Sequence, residues 1–600
     1  MNMNFTDALD RYCALTGAVK SQKMVDACDF INHIVDKVDE AAIQIDCGTG
    51  KSSWAHARCA AYASKATPHV YVVPTRDEVT RAASNLTQMT NGEAAGIYLG
   101  WNQDECQSLS GRNLTFDKCM RTGSKSACAR CPGRKLCLYR QSLRGLRRPL
   151  VVMTRESFIV LCGKGFDFTS HTILCDEDIN VFADEIFTLG GMRRLADIFS
   201  MAGDYNVSQL VRTLMSGAKF WAAAPVPDSA ARYMRLDSDS VAHALAEILR
   251  YMGTHTLKRD DELLVFRFVM FFRSAAACKA AYAYYFDGRD VFVKKNRIDL
   301  QSFTAYKKLI ILNATASLSM VRLSGRAKIW RCRELEKYRR EGSVSLFIVP
   351  ANATKSRADR NTAAGLQLLS EHILAAGCEP DTWVLVVANR NDGGRADRVE
   401  AALGAEYGLS VFRLSRGLLR GTNAAKQCTI AFLPSAGFFT TLVDCALHVA
   451  LKQGKDFLWS EVVCHDGRPR MRKGRFINSK LQDVYMRKSL TEFYQGIFRT
   501  AVRDGGSVAV ILPLPDAEWV TALWRLTPFK VRAVHGGGRK ARLFSGIGTL
   551  LDMEAGKPVS KTAVAELLGY KAWKSSRTVI MKLLKDFYVV SGRNLVRRDV

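Results

Sequence analysis

Short apolar runs rich in β-branched residues recur through the first half of the chain, each followed by polar residues and a helix-forming stretch. These runs span residues 41–45, 69–73, 149–153, 171–175 and 308–312. Buried strands that alternate with helices predict a parallel sheet covered on both faces. The polar residues follow the strand ends, which is where ligands bind in such sheets.

The second half of the chain predicts another sheet, with strands at 345–349, 383–387, 410–414, 428–433 and 507–512. The segment 193–286 between the two sets is rich in helix formers and predicts a helical insertion. At the C-terminus, helices over 560–569 and 575–585 and a hairpin over 587–598 indicate a winged-helix arrangement. A small helical cap over the second sheet is the alternative for this tail.

Composition adds a strong charge signal to this pattern. The 600 residues carry a formal net charge of +28, while 48% are hydrophobic, as in an ordinary folded protein. No apolar run reaches the roughly 18–20 residues that span a bilayer, and the N-terminus lacks the features of a signal peptide. Seventeen cysteines in apolar segments favour a reducing compartment, so we expect a cytoplasmic protein without a membrane segment, or one in the nucleus or nucleoid if it acts on DNA. The basic clusters predict a polyanion binder rather than a protein that is merely basic.

The turn after the first strand has the pattern of a phosphate-binding P-loop. Its Gly-x-Gly-Lys-Ser core is followed by a helix, although Ile45 stands where the strict motif has its first glycine. In such a loop the backbone N–H groups surround a phosphate, Lys51 reaches the β- and γ-phosphates, and the Ser52 hydroxyl binds Mg²⁺. The predicted ATP- and Mg²⁺-binding residues of this turn are Cys47, Gly48, Thr49, Gly50, Lys51, Ser52 and Ser53.

An acidic pair, Asp176 and Glu177, ends the fourth strand. A carboxylate at this position can hold Mg²⁺, and its neighbour can orient and deprotonate an attacking water. The alternative is an acidic N-cap of a following helix, since Asp178 comes next.

Further along, Gln495, Arg499 and Arg503 are spaced to lie on one helix face. This face is either solvated or a surface that contacts phosphate.

Four cysteines, Cys119, Cys128, Cys131 and Cys137, have the spacing C-x8-C-x2-C-x5-C. Four thiolates in a basic segment can hold Zn²⁺ or a [4Fe–4S] cluster, and a set of buried free cysteines is the alternative. Cys106 could replace Cys119 as the first ligand.

These motifs, taken in order, resemble the series found in superfamily-two helicases, and the cysteine and helical insertions narrow the resemblance to the XPD/DinG family. The resemblance implies two RecA-like domains with ATP between them, a [4Fe–4S] cluster on the four cysteines, a helical arch, and 5′→3′ movement on single-stranded DNA. By the same resemblance Lys51 and Glu177 are catalytic, Asp176 binds the metal, and Arg499 and Arg503 are arginine fingers. The remaining implied contacts are Gln22 and Gln495 to ATP, and Pro74, Thr75, Arg76, Arg420, Gly421 and Thr422 to nucleic acid.

The fold class expected is therefore α/β, with two RecA-like parallel-sheet domains, a cysteine-rich insertion, a helical arch insertion and a C-terminal winged-helix-like domain. The expected boundaries are 1–100, 149–190 and 288–340 for RecA-like domain 1, 101–148 for the cysteine-rich insertion, 191–287 for the arch, 341–535 for RecA-like domain 2 and 545–600 for the tail. We expect a monomer that unwinds nucleic acid, DNA rather than RNA, with a protein partner for the tail. Phe498, in place of a glycine, and Ile179 keep open an alternative, a recruitment module with a weakly coupled ATPase.

Overall fold

A computed structural model of the chain describes residues 3–46, 48–90, 95–99, 137–163, 166–177, 182–201, 203, 208, 211–212, 229–235, 257–276, 281–286, 289–296, 306–318, 328–332, 344–350, 358–374, 382–388, 395–415, 425–433, 442–454, 457–458, 471–472, 475–504, 506–526 and 529–598. The chain divides into two compact units. The first unit comprises Met1–Cys332 and Leu442–Arg470, and the second comprises Arg333–Thr441 and Met471–Val600.

The described strands are β1 (Glu40–Gln44), β2 (His69–Val73), β3 (Gly96–Tyr98), β4 (Leu150–Thr154), β5 (Phe168–Asp176), β6 (Phe182–Thr188), β7 (Ser229–Arg235), β8 (Ala281–Phe286), β9 (Asp290–Asn296), β10 (Tyr306–Leu312), β11 (Lys328–Arg331), β12 (Val344–Pro350), β13 (Trp383–Ala388), β14 (Ser410–Ser415), β15 (Cys428–Phe432), β16 (Phe457–Leu458), β17 (Met471–Arg472), β18 (Arg475–Phe476), β19 (Val508–Leu514), β20 (Lys530–Val534), β21 (Pro558–Ser560), β22 (Tyr588–Ser591) and β23 (Asn594–Arg597).

The described α-helices are α1 (Phe5–Thr16), α2 (Gln22–Lys37), α3 (Lys51–Tyr62), α4 (Arg76–Met89), α5 (Leu138–Gly145), α6 (Arg155–Gly163), α7 (Leu189–Met201), α8 (Arg259–Ala276), α9 (Ala358–Leu368), α10 (Arg395–Tyr407), α11 (Leu442–Gln453), α12 (Ser479–Ile497), α13 (Ala517–Leu526), α14 (Arg539–Leu551), α15 (Lys561–Leu567) and α16 (Trp573–Leu584). Short 3₁₀ turns span Ala316–Leu318 and Ala501–Asp504, and a π-helical turn, Leu369–Ile373, extends α9.

The first unit is built on a seven-stranded parallel sheet in the order β11-β1-β10-β5-β2-β4-β3. Its inner strands are apolar on both faces, as in β2, whose five residues are all buried. Side chains such as Val70, Val72, Ile173 and Ile311 form one continuous core beneath the helices. The predicted parallel sheet is confirmed, because continuous apolar runs are what a sheet covered on both faces requires.

Register brings three strand ends together in this sheet. Ile43 of β1 pairs with Leu312 of β10, and Leu312 pairs with Asp176 of β5. The loop after β1 and the acidic end of β5 therefore lie at the same carboxyl edge of the sheet, which is the edge where parallel sheets bind ligands.

The insertion after β5 differs from the predicted helical arch. Besides α7 and α8 it contains the strands β6 to β9, which form an antiparallel sheet together with β16 from the second half of the chain, in the order β16-β7-β8-β9-β6. An aromatic core that includes Phe187, Phe268, Phe272 and Tyr282 joins the sheet to the helices. The alternating aromatic run at 281–286 is a strand because aromatic residues fit a pleated, half-buried surface.

The boundary expected for the second domain, 341–535, also needs correction. Helix α11 and strand β16 belong to the first unit, where β16 pairs with β7. The buried Lys294 of β9 binds Asp184 of β6 and Asp444 of α11, the latter at 2.7 Å. A segment from the second half of the sequence therefore packs on the inserted sheet, where α11 shares this ion pair.

The second unit is built on six parallel strands in the order β14-β13-β15-β19-β12-β20. A core that includes Phe347, Val386, Phe432 and Ile511 fills the space between this sheet and helices α9 and α10. The predicted second RecA-like sheet is confirmed. Its sixth strand, β20, was not predicted from the sequence and pairs with β12 at the edge.

Candidate nucleotide site

The loop between β1 and α3 has the backbone of a phosphate-binding turn. Gly48 and Gly50 adopt φ angles of 77° and 94°, which residues with a side chain rarely adopt. A Cβ on Gly50 would lie 2.6 Å from Cγ of Met24. The backbone conformation therefore favours glycine at both positions. Gly50 is also needed because the first turn of α2 packs directly against the loop and leaves no room for a Cβ.

Lys51 is the first residue of α3 and lies folded against its own loop. Its Nζ donates to the carbonyl oxygens of Ile45 and Asp46, each at 2.9 Å. The Thr49 hydroxyl donates to the Asp46 carbonyl at 2.7 Å. The ammonium group of Lys51 is therefore already held beside the loop, with acceptors that a phosphate oxygen could replace.

Asp176 connects the loop to the centre of the sheet. Its Oδ2 accepts a hydrogen bond from the Ser52 hydroxyl at 2.7 Å and another from the Tyr71 hydroxyl at 3.0 Å. Tyr71 is buried in β2, and burial, followed by the negative charge of Asp176, raises the pKa of its hydroxyl. Tyr71 therefore stays protonated and acts as a donor that fixes the orientation of the carboxylate.

Glu177 has a strained backbone. Its φ angle of 77° is positive, the one such case among the described residues other than glycine. Its N–H donates to the Leu312 carbonyl at 2.8 Å, and its carboxylate lies 3.8 Å from a guanidinium nitrogen of Arg155. A positive φ at a residue of this kind costs on the order of 1–3 kcal/mol and is concentrated at functional sites.

Negative charge accumulates beside the loop. Burial raises the pKa of Glu78, and the charge of Asp176 raises it further. Glu78 also completes a capping box with Thr75 at the start of α4.

The Ser52 hydroxyl and the Asp176 carboxylate are the oxygen ligands that Mg²⁺ prefers, and such sites are usually completed by phosphate and water rather than by protein. The residues present therefore fit a magnesium ion bound together with a nucleotide.

His56 supports the loop from inside α3 and was not predicted from the sequence. Its Nδ1 lies 2.7 Å from the Ser52 carbonyl oxygen, while its ring contacts those of Tyr12 and Tyr71. Burial lowers the pKa of His56 to about 4, so the ring is neutral at pH 7.

The predicted site also lacks three further residues, Tyr71, Arg155 and Glu78, because strand and cap positions carry no motif of their own.

Several predicted contact residues are exposed or make local hydrogen bonds. Gln22, expected at the adenine, is the exposed first residue of α2 and donates to Asp26 at 2.7 Å. It lies two residues before Met24, whose side chain meets the P-loop. Thr75 caps α4, preceded by Pro74 and followed by Arg76. These roles stay predictions.

The prediction that Gln495, Arg499 and Arg503 lie on one helix face is wrong, because the helix ends before Arg499. Helix α12 ends at Ile497, Arg499 lies in the following turn with only 7% exposure, and Arg503 belongs to the 3₁₀ turn Ala501–Asp504. Phe498 is stacked on Tyr494 with ring centroids 4.4 Å apart, and this packing accompanies the end of the helix. The proposed contacts of these residues with phosphate stay predictions.

Ser53 is buried in the first turn of α3. The other predicted site residues lie outside the described residues, namely Cys47, Cys119, Cys128, Cys131, Arg420, Gly421 and Thr422. Cys137, which precedes α5, is described and is a free thiol. Within the described ranges no group of three His, Cys, Asp or Glu residues is arranged to hold a metal ion. None of the described helices has the length and apolar character needed to cross a membrane.

No protein-family model matches the chain, and no curated protein matches its sequence. Among solved structures, an XPD helicase matches 86% of this chain and 100% of its own, with a TM-score of 0.50 and 12% identity. Xpd4 of S. tokodaii matches 82% of this chain and 95% of its own, with a TM-score of 0.42 and 11% identity. A truncated XPD matches 52% of this chain and 99% of its own, with a TM-score of 0.34 and 13% identity.

The first of these likenesses shows the fold. The chain shares its fold with this XPD helicase structure and contains two RecA-like parallel sheets. The resemblance predicted from the order of the motifs is thus confirmed at the level of the fold.

Proposed function

We propose that this protein is an ATP-dependent helicase of the XPD/DinG type that moves along single-stranded nucleic acid and opens duplexes. The observation that carries the proposal is the 2.7 Å hydrogen bond between Ser52 of the P-loop and Asp176 at the end of β5, with Glu177 next to it. This arrangement supplies a phosphate cradle, a pair of metal ligands and a general base on a helicase fold.

Each residue has a defined task in ATP hydrolysis. Lys51 would exchange its two carbonyl acceptors for oxygens of the β- and γ-phosphates. Mg²⁺, held by Ser52 and Asp176, would neutralise phosphate charge. Glu177 would accept a proton from the attacking water, and Arg155 would hold its carboxylate in place.

Two further groups of residues receive proposed roles from the family resemblance. Arg499 and Arg503 would donate to the γ-phosphate as charge develops in the transition state, and Gln22 and Gln495 would contact ATP. Pro74, Thr75, Arg76, Arg420, Gly421 and Thr422 would contact the phosphates and sugars of the strand. The net charge of +28 supports binding to a polyanion. We propose DNA as the strand and 5′→3′ as the direction.

The cysteine segment receives a separate proposal. Cys119, Cys128, Cys131 and Cys137 would hold a [4Fe–4S] cluster, with Zn²⁺ as the alternative. Support comes from the spacing of the cysteines and from their place in the chain, before the acidic strand end.

The site is tested by ATP hydrolysis stimulated by single-stranded DNA. Lys51→Ala should abolish hydrolysis, because it removes the P-loop side chain proposed to contact both the β- and γ-phosphates. Glu177→Gln should leave ATP binding intact and slow hydrolysis by about 10²–10⁴-fold, the usual contribution of a general base. Lys65→Ala removes an exposed lysine after α3 and serves as the matched control, with hydrolysis expected to be unchanged.

Hydrolysis that persists in both Lys51→Ala and Glu177→Gln would overturn the site. The same loss of hydrolysis in the Lys65→Ala control would also overturn it, because the effect would then come from loss of charge or of folding.

A further inference from the structure

The last 60 residues of the described chain form a small module with a defined topology. Helix α14 is followed by β21, α15, α16 and the hairpin β22–β23, and the three strands form an antiparallel sheet in the order β21-β23-β22. Helices α15 and α16 are joined by a short turn after Gly569, which adopts a φ angle of 73°. Two helices joined by such a turn are the motif that many proteins place in the major groove of DNA.

The module is fixed to the second unit through α13. Lys582 of α16 pairs with Glu518 at 2.8 Å, and Asp586 pairs with Arg525. The ring of Trp524 packs edge-on against Phe587 with centroids 5.3 Å apart. The module is therefore carried as a rigid part of this unit, and a ligand bound to it would move with α13.

One end of the module brings the hairpin tip and the start of α16 together. Lys561, the first residue of α15, donates from Nζ to the Gly592 carbonyl in the hairpin turn at 2.5 Å. The same Nζ lies 5.9 Å from the ring centroid of Trp573, the first residue of α16. We call this the tip of the module.

The tip carries exposed cations. Lys571 and Lys574 flank the start of α16, Arg577 follows one turn later, and Arg593 lies in the hairpin turn. Within the described chain, the side chains of these four residues make no hydrogen bond, ion pair or ring contact. The span 539–598 contains 13 basic and 4 acidic residues. The ion pairs to α13 involve the opposite end of α16, so the cations at the tip are available for a ligand.

We propose that the tip of this module is a binding site for duplex DNA. This site is separate from the candidate ATP site and from the residues proposed to contact the single strand. The first turns of α16, with Lys574 and Arg577, would enter the major groove. Arg593 and Lys571 would contact phosphates on either side, as basic side chains do in helix-turn-helix proteins.

The shape of the major groove favours duplex DNA over duplex RNA as the ligand of the tip. The major groove of B-form DNA admits an α-helix, whereas that of A-form RNA is too deep and narrow for side chains to read. A protein partner is the weaker alternative, because four exposed cations at one end lack the apolar centre of a typical protein interface.

The test measures binding of the full chain to a short blunt-ended DNA duplex by fluorescence anisotropy, without nucleotide. The variant Lys574→Ala/Arg577→Ala/Arg593→Ala should bind the duplex at least about tenfold more weakly, with a salt dependence that falls by about 0.9 in slope for each lost phosphate contact. Affinity for a single strand of the same length should fall less. Because ATP is absent, a failure of the proposed ATPase would not affect this result.

A matched control removes three exposed cations from the other end of the module. Lys557, Lys585 and Arg598 lie near the base of the hairpin, where the Gly556 N–H donates to Arg597 and the Arg598 N–H to Phe587. The triple alanine control should retain duplex affinity within about twofold, since these charges lie away from the proposed groove contacts.

Equal losses in the two triple variants would overturn the proposal in favour of diffuse charge, and so would an unchanged affinity of the tip variant. Equal binding of duplex RNA and duplex DNA by the unaltered chain would overturn the groove assignment. If the tip variant unfolds, Arg577→Ala alone provides the measurement, because Arg and Ala both favour a helix. Its weakened binding would support the proposal, and unchanged binding would contradict it.

Discussion

Hydrogen bonds at the candidate nucleotide site converge on one carboxylate oxygen. Oδ2 of Asp176 accepts from both Ser52 and Tyr71. Ser52 is recognisable from the P-loop motif, and Asp176 from its place at the end of a strand. Tyr71 is hidden within an apolar strand, so sequence reasoning assigns it to the core. The difference arises because a motif records residues near in sequence, whereas this bond spans β2 and β5.

Tyr71→Phe tests whether this hydroxyl positions Asp176, the proposed metal ligand. Loss of the donor leaves Asp176 with one fewer partner, and loss of such outer contacts typically weakens a metal site by about 10–100-fold. We expect a rise of about tenfold in the Mg²⁺ concentration needed for half-maximal ATP hydrolysis. A Mg²⁺ titration at saturating ATP measures this, with thermal unfolding as a check on the fold.

Tyr98→Phe is the matched control for that titration. Tyr98 is a buried tyrosine in β3 of the same sheet, but β3 lies at the edge, with β2 and β4 between it and β5. Its removal should leave the Mg²⁺ dependence unchanged. An unaltered Mg²⁺ dependence in Tyr71→Phe would show that the hydroxyl only fills the core.

Elements differ in how far the sequence predicts them. The ten predicted strands of the two parallel sheets are all present, because buried strands have continuous apolar runs bounded by polar residues. The short edge strands β3 and β11 lack such runs and were missed. The end of α12 at Ile497 was also missed, because Phe498 to Val502 continue an apolar pattern while the backbone turns.

Helix α14 shows why the tail is part of the second unit. Helix α14 begins at Arg539, directly after its N-cap Gly538, and packs on both β20 and α15. A Cβ on Gly548 would lie 2.5 Å from Val531, and one on Gly546 would lie 2.2 Å from the Leu567 carbonyl oxygen. These two glycines allow the close approach that fixes the tail to the sheet.

Gly546→Ala should loosen this contact. The added methyl group meets backbone of α15 that cannot move aside without shifting the helix, and overpacking of this kind costs about 1–3 kcal/mol. Hydrogen–deuterium exchange should become faster across residues 558–598. Gly404→Ala is the control, because Gly404 lies in α10 with open space around it, and alanine there should slightly stabilise the helix. Equal protection of the tail in both variants would contradict the packing argument.

The first unit is built from two separate segments of the chain, Met1–Cys332 and Leu442–Arg470. Strands β1 to β11 and β16 form its sheets, and α11, from the second half of the chain, packs on the inserted sheet. The sequence predicts the two RecA-like sheets but not this packing, because a contact between distant segments has no local pattern. Lys294, a buried lysine bound to Asp184 and Asp444, becomes visible as a link only in the structure.

We propose that ATP hydrolysis at this site drives directional unwinding, and a strand-displacement assay measures that unwinding. With ATP and Mg²⁺, the chain should open a DNA duplex with a 5′ single-stranded tail and leave one with only a 3′ tail closed. Glu177→Gln should open neither. Unwinding from the 3′ tail alone would contradict the direction and the XPD/DinG assignment. Hydrolysis of ATP without unwinding of either substrate would contradict the helicase function itself and favour a recruitment module.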